Sequence, residues 1–276
     1  MRRNEEDEIQ VLGTSKPKHG FMRWGIIAVV SLLIIGSLLF WLFSREEGEP
    51  EHIEMVNPVI LQDDTLKMDK QARVEFRLDS INDVVLSIYS LQNMRAEMSL
   101  QMPSQSDSTV YFVVWAADIR KDNGQILGDF VLKGKQLSRG KRKTGYCAIL
   151  DGKISLGNTI NDEIKDYCIT HGGDFFRQYP LVMDGEIQEN RLKGKAIRRA
   201  LAQQSNDFYI VESKNRESLY DFSEALADMG FTNALYLVGG SSYGWWRGED
   251  GTVHELGIYT DKVLPNINYL VFRGFH

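Results

Sequence analysis

Between Trp24 and Ser44 the chain carries no charged residue and consists mostly of Ile, Leu, Val, Phe and Trp. A helix rising about 1.5 Å per residue over such a run spans a hydrocarbon core of roughly 30 Å. The run ends Phe40-Trp41-Leu42-Phe43-Ser44-Arg45, too bulky for the small-x-small cleavage site of a secretory leader. The pattern therefore predicts a single retained transmembrane helix over 24–44. After residue 70 the period changes to short alternating or continuous apolar runs. Val74, Phe76 and Leu78 alternate within Ala72–Leu78, and Val84–Leu91 is rich in β-formers. Val110–Ala117 is a continuous apolar run, as for a buried strand. Further strands are expected at Ile126–Leu132, Tyr146–Leu150, Tyr179–Met183, Ala196–Ala202, Phe208–Val211, Ala234–Val238 and Tyr269–Phe272.

Helical signals are fewer. Ser218 can cap a helix with Leu219, Phe222, Leu226 and Met229 on one face and Gly230 as its stop. A shorter helix is expected from Asn161 to Cys168. Many strands and few helices, mixed in order, predict an α+β domain with a mixed sheet, preceded by the single transmembrane helix. The organisation read from the chain is a cytoplasmic tail at 1–23, the span at 24–44, a charged stalk with Pro50 and Pro58 at 45–70, and one domain at 71–276.

Charge adds an orientation. Arg2, Arg3, Lys16, Lys18 and Arg23 precede the span, whereas Arg45 follows it with Glu46, Glu47, Glu49 and Glu51. By the excess of Lys and Arg on the inner side, the N-terminus is expected in the cytoplasm and the domain outside it. The formal net charge of −6 argues against a nucleic-acid partner. No Asn-x-Ser/Thr acceptor occurs, which favours a bacterial cell envelope over a secretory pathway. Cys147 and Cys168, if paired, would close a loop of about twenty residues, worth roughly 3 kcal/mol in the chain-entropy model. Two separate buried thiols fit the spacing equally well.

Candidate chemistry concentrates in the last third. The strand ending Leu235-Tyr236-Leu237-Val238 runs into Gly239-Gly240-Ser241-Ser242. Glycines after a buried strand bring backbone N–H groups close to an anion or a sugar hydroxyl, and serines add donors and acceptors. The same residues also make an ordinary tight turn. Arg198 is either a bidentate phosphate contact or a surface residue at a strand start, with Arg199 pointing to the opposite face. Tyr243, Trp245 and Trp246 crowd the far end of the loop, where Trp245 is the candidate ring for stacking on a sugar and Arg247 lies near. His171-Gly172-Gly173-Asp174 reads as a turn, so no metal site and no cofactor are expected. Lys133, Lys135, Arg139, Lys141, Arg142 and Lys143 read as a solvated basic hairpin, with contact to an anionic polymer or lipid headgroups as the alternative.

The order of these pieces resembles the phosphodiester glycosidase family from about Val110 to Trp246. Gln178-Tyr179-Pro180-Leu181-Val182-Met183-Asp184-Gly185 is similar to its P-x-L-V-x-D-G stretch, and Arg198-Arg199-Ala200-Leu201-Ala202 to its R-T-A-I-G strand. Ser218 to Gly230 resembles the helix before its L-D-G-G-G-S-S loop. Departures accompany the likeness. Val238 replaces the loop aspartate, Ser241 the third glycine, and Ala202 the glycine of the Arg strand. Ala116-Ala117-Asp118-Ile119 stands where the family has N-G-G-F or N-G-D-F, leaving Asp118 as the candidate catalytic acid.

The resemblance implies action on, or binding of, a phosphate-linked glycan or envelope polymer. Arg198 would hold phosphate, and Gly239, Gly240, Ser241 and Ser242 the sugar. Hydrolysis would need two carboxyl groups about 5–10 Å apart, to be found among Asp118, Asp129, Asp174 and Glu186. The alternative is a catalytically inactive binding or structural module that keeps the fold, because Val238 can neither accept a proton nor bond a hydroxyl.

Overall fold

Period-two patterning decides the architecture of the computed structural model, which describes residues 71–190, 192–259 and 264–275. A seven-stranded sheet has the spatial order β1 (Arg73–Ile81), β2 (Val84–Gln92), β13 (Asp207–Ser213), β12 (Arg199–Gln204), β14 (Asn233–Leu237), β10 (Pro180–Met183) and β11 (Glu186–Ile187). A second sheet runs β16 (Val253–Leu256), β15 (Gly244–Arg247), β4 (Val110–Trp115), β17 (Tyr269–Gly274) and β3 (Met94–Ser99). The third runs β6 (Lys135–Ser138), β5 (Phe130–Leu132), β9 (Asp174–Gln178), β7 (Gly145–Leu150) and β8 (Lys153–Asn158).

The three sheets share one core. Leu201, Ile210, Leu235 and Leu237 of the first sheet pack with Phe112, Val114 and Leu270 of the second, and with Phe130, Ile149 and Phe176 of the third. Alternation sends Ala200, Ala202, Val211 and Ala234 to the opposite face of the first sheet. There the alanines leave room for α2 (Leu219–Asp228), whose Leu219, Phe222, Ala225 and Leu226 fill the layer. Ser218 caps this helix by accepting from the Asp221 N–H at 3.0 Å, and Gly230, at φ +86°, ends it in the left-handed region. The other helix, α1 (Glu163–Thr170), covers the outer face of the third sheet beside Val131, Ala148 and Phe175.

One expectation changes. The α+β class with a mixed sheet is overturned, because the described residues form seventeen strands against helices of eight and ten residues. Every strand pairing is antiparallel. The helices act as lids on single sheet faces rather than as crossovers between parallel strands, which is what a mixed sheet would have required. Among the described residues no helix is long and apolar enough to cross a membrane. The tail, span and stalk expected over 1–70 lie outside those residues. Cys147 and Cys168 are free and buried, and burial pushes both thiols up, Cys168 to about 11.

Candidate functional site

Antiparallel pairing places the start of one strand beside the end of its neighbour. Arg199 pairs with Leu237, so Arg198 at the entry to β12 faces the loop that leaves β14. The approach is close: a Cβ on Gly239 would stand 2.7 Å from the Ile197 carbonyl oxygen and 3.0 Å from the Arg199 nitrogen. On the other side of β14, the Tyr236 N–H donates to the Tyr179 carbonyl at 2.9 Å. This brings the entry to β10 to the same end. In the third sheet Gly145 pairs with Gln178, which sets Lys143, just before β7, beside the Gln178-Tyr179 turn.

Asp118 completes the cluster from the end of β4. Asn268, buried, fixes the segment before it. Its Oδ1 accepts from the Ala117 N–H at 2.7 Å, and its Nδ2 donates to the Ala117 carbonyl at 3.1 Å. The Asp118 Oδ2 atom accepts from Lys143 Nζ and, at 3.1 Å, from Gln178 Nε2. Lys143 Nζ also lies over the Tyr179 ring, 5.0 Å from its centroid. Asp118, Lys143, Gln178, Tyr179, Tyr236, Arg198 and the Gly239–Gly240 turn thus meet where six strand ends, of β4, β7, β9, β10, β12 and β14, converge.

The electrostatics follow from burial. Desolvation pushes the Lys143 ammonium down from its usual value, and Asp118 opposes that shift. Burial pushes the Tyr236 phenol up. Asp118 adds to the effect, while the Arg198 guanidinium and the Gly239 N–H oppose it. Tyr179 is raised by burial and by Asp118, against Arg142. Both phenols therefore stay protonated at neutral pH and offer O–H groups. Arg198 is buried, with Nε donating to the Glu217 carbonyl at 3.0 Å and Nη2 to the Gly194 carbonyl at 2.6 Å.

Arg198, Asp118, Gly239 and Gly240 come together, and Ser241 and Ser242 follow on the same loop. Ser241 is exposed, and its carbonyl accepts from the Ile258 N–H at 3.2 Å. Ser242 is a brace: its Oγ donates to the Val238 carbonyl at 2.6 Å and accepts from Arg199 Nη1 at 3.0 Å. Arg199, on the face opposite Arg198, is buried and paired with Glu212, so it supports the loop from beneath.

Trp245 sits elsewhere. It is 0% exposed within the apolar layer of Val110, Val113, Tyr269 and Val271, and it offers no free face to a sugar. Trp246, half-buried, packs on Phe76 and Tyr89 and stacks on His254 with centroids 4.4 Å apart. Arg247 lies over the Trp245 ring and donates to the carbonyls of Val110 and Gln105.

The other carboxylates have separate duties. Asp129 pairs with Arg177 in the interior, Asp174 accepts the Met98 and Lys133 N–H groups, and Glu186 is exposed after the β10–β11 turn. His171 to Gly173 form the expected turn, and no metal-ligating group of three occurs among the described residues. Surface depressions of ≈580 and ≈550 Å³ lie by Asp174 and by Trp246, away from the Asp118 cluster.

Lys143, Gln178, Tyr179, Tyr236 and Asn268 are not among the site residues expected from the sequence. Lys143 was hidden in a run of solvated cations. The signal that separates it is its place two residues before a buried strand, where a side chain turns inward.

No family model and no curated protein matches the chain. Among solved structures, the fold is similar to the catalytic domain of zebrafish N-acetylglucosamine-1-phosphodiester alpha-N-acetylglucosaminidase, in a form auto-inhibited by its pro-peptide. That similarity has a TM-score of 0.52 at 12% identity and covers 74% of this chain and 83% of that one. A hypothetical protein from Synechocystis aligns over 74% of this chain and 62% of its own at 13% identity, with a TM-score of 0.49, too distant to carry an argument. The relationship to a phosphodiester glycosidase domain is one of fold, and fold alone does not fix a reaction.

Proposed function

We propose that this domain binds a phosphate-linked glycan at the Asp118, Lys143, Arg198 and Gly239 cluster and does not cleave it. The observation that carries this reading is the pairing of Asp118 with buried Lys143. Among the described residues the cluster then contains one carboxylate, already engaged by a cation, where glycoside cleavage uses two. Val238 stands at the end of β14 and supplies no second acid. Lys143 and Arg198 give the site a positive excess over Asp118, which suits a phosphate. The Tyr179 and Tyr236 rings and the Gly240 backbone, at φ +68° with open space around it, suit a sugar.

The test is titration of a sugar-1-phosphodiester into the full-length protein, following heat of binding and free sugar together. Binding without release is expected. Release that disappears in Asp118→Asn would make the protein a hydrolase instead, and absence of binding would remove the ligand class.

The same reading places the domain outside the cytoplasm, in a cell envelope, on the strength of the Lys and Arg asymmetry around residues 24–44. A topology reporter fused after His276 should be active on the outer side. Activity confined to the cytoplasm would refute the placement.

A further inference from the structure

On the binding reading, a carboxylate at the centre of an anion-binding site opposes the charge it should hold. The geometry of that carboxylate is informative. Asp118 is the outer member of its ion pair, its side chain 28% exposed against 6% for Lys143. An anion arriving from solvent therefore meets Asp118 before it can reach the ammonium. Asp118 Oδ2 accepts from two donors of the cluster, Lys143 Nζ and Gln178 Nε2. The Gln178 amide is itself buried and also reaches the Ala116 carbonyl, at 3.5 Å. A carboxylate oxygen accepting from an ammonium and an amide occupies the place that a phosphate oxygen would take.

Resting on that reading, we propose that Asp118 is the resident occupant of an anion seat built by Lys143 and Gln178. A ligand phosphate takes the seat by displacing the Asp118 carboxylate. The chain thus carries its own competitor, and affinity for phosphate is set by how readily Asp118 gives way. Three features of the surroundings suit the exchange. Asp118 lies beyond the end of β4 and outside its ladder, so its side chain can swing without breaking strand pairing. The segment before it stays pinned by Asn268. Lys143 is held under the Tyr179 ring whichever anion it faces. A phosphate oxygen and the Asp118 carboxylate compete for the same position between Lys143 Nζ and Gln178 Nε2, and their like charges oppose joint occupation.

The experiment measures binding of inorganic phosphate and of the sugar-1-phosphodiester to the full-length wild type, Asp118→Asn, and Asp118→Asn with Lys143→Met. The asparagine keeps the shape and an acceptor but gives up the charge. It should tighten phosphate binding on the order of tenfold, the scale of one lost charge-assisted contact. Adding Lys143→Met should remove the gain. Thermal melting of each variant checks folding, and Asp118→Ser replaces the asparagine variant if that one melts early. Phosphodiester binding by the wild type with no tightening in the Asp118 variants overturns the seat while leaving the binding function standing. No binding of either anion by any variant overturns both.

Discussion

Replacing Asp129 with alanine is expected to lower the unfolding free energy by about 3–5 kcal/mol. Asp129 and Arg177 are 3% and 0% exposed, and their Oδ2 to Nε contact is 2.8 Å. Asp129 Oδ1 also accepts from the Gly140 N–H at 3.0 Å, tying the start of the β5–β6 hairpin to its far side. Arg177 spends its remaining donors on backbone carbonyls, at Asn161 (2.7 Å) and at Thr159. Those carbonyls hold the guanidinium in place but do not neutralise it. Removal of Asp129 leaves the interior guanidinium only the half-buried Asp162 carboxylate, 3.6 Å from its Nη2, as a counter-charge, and Arg cannot deprotonate. Asp129→Asn keeps one acceptor and should fall between wild type and Asp129→Ala. Urea unfolding midpoints of the three proteins decide the matter. A loss below about 1 kcal/mol for the alanine variant would mean that Asp162 and the carbonyls together satisfy the cation.

Gly239→Ala is expected to weaken the proposed glycan binding tenfold or more while costing about 1–3 kcal/mol of stability. The added methyl would lie 2.7 Å from the Ile197 oxygen, 3.0 Å from the Arg199 nitrogen and 3.3 Å from the Arg198 carbonyl carbon. All three are backbone atoms of the neighbouring strand, so no rotamer change can relieve the contact. The relief left is to lift the β14 loop off the entry to β12, which parts Arg198 from the Gly239 N–H. Gly240→Ala is the informative contrast. Its Cβ would meet nothing within 4 Å, but its φ of +68° imposes about 1 kcal/mol of strain on a residue with a side chain. Parallel binding titrations and thermal melts of both variants test the argument. Equal binding losses would show that backbone strain, rather than strand separation, governs the site.

The elements legible in the chain were those whose reasons are local. Ser218 sits at a helix start because its hydroxyl takes the Asp221 N–H, and the i, i+3, i+7 spacing of Leu219, Phe222 and Leu226 needs no partner to be recognised. Val84–Leu91 and Phe208–Val211 read as strands because β-formers recur there, and both fall within observed strands. Strand β9 escaped notice. Its Asp174-Phe175-Phe176-Arg177-Gln178 is buried throughout, yet Asp and Arg break any apolar run. They are tolerated because backbone N–H groups and Asp129 satisfy them from distant parts of the chain.

The sequence by itself determined where ten of the seventeen strands and the capped helix lie, and which loop carries the glycines. Tertiary structure alone decided that the sheets are antiparallel and three in number, that Trp245 rather than Trp246 fills the core, and that Lys143 leaves its neighbouring cations to pair with Asp118. The physical reason is range. Turn chemistry, capping and side-chain period act over a few residues and are written locally, whereas strand partners, burial and ion pairing depend on groups brought together from far along the chain.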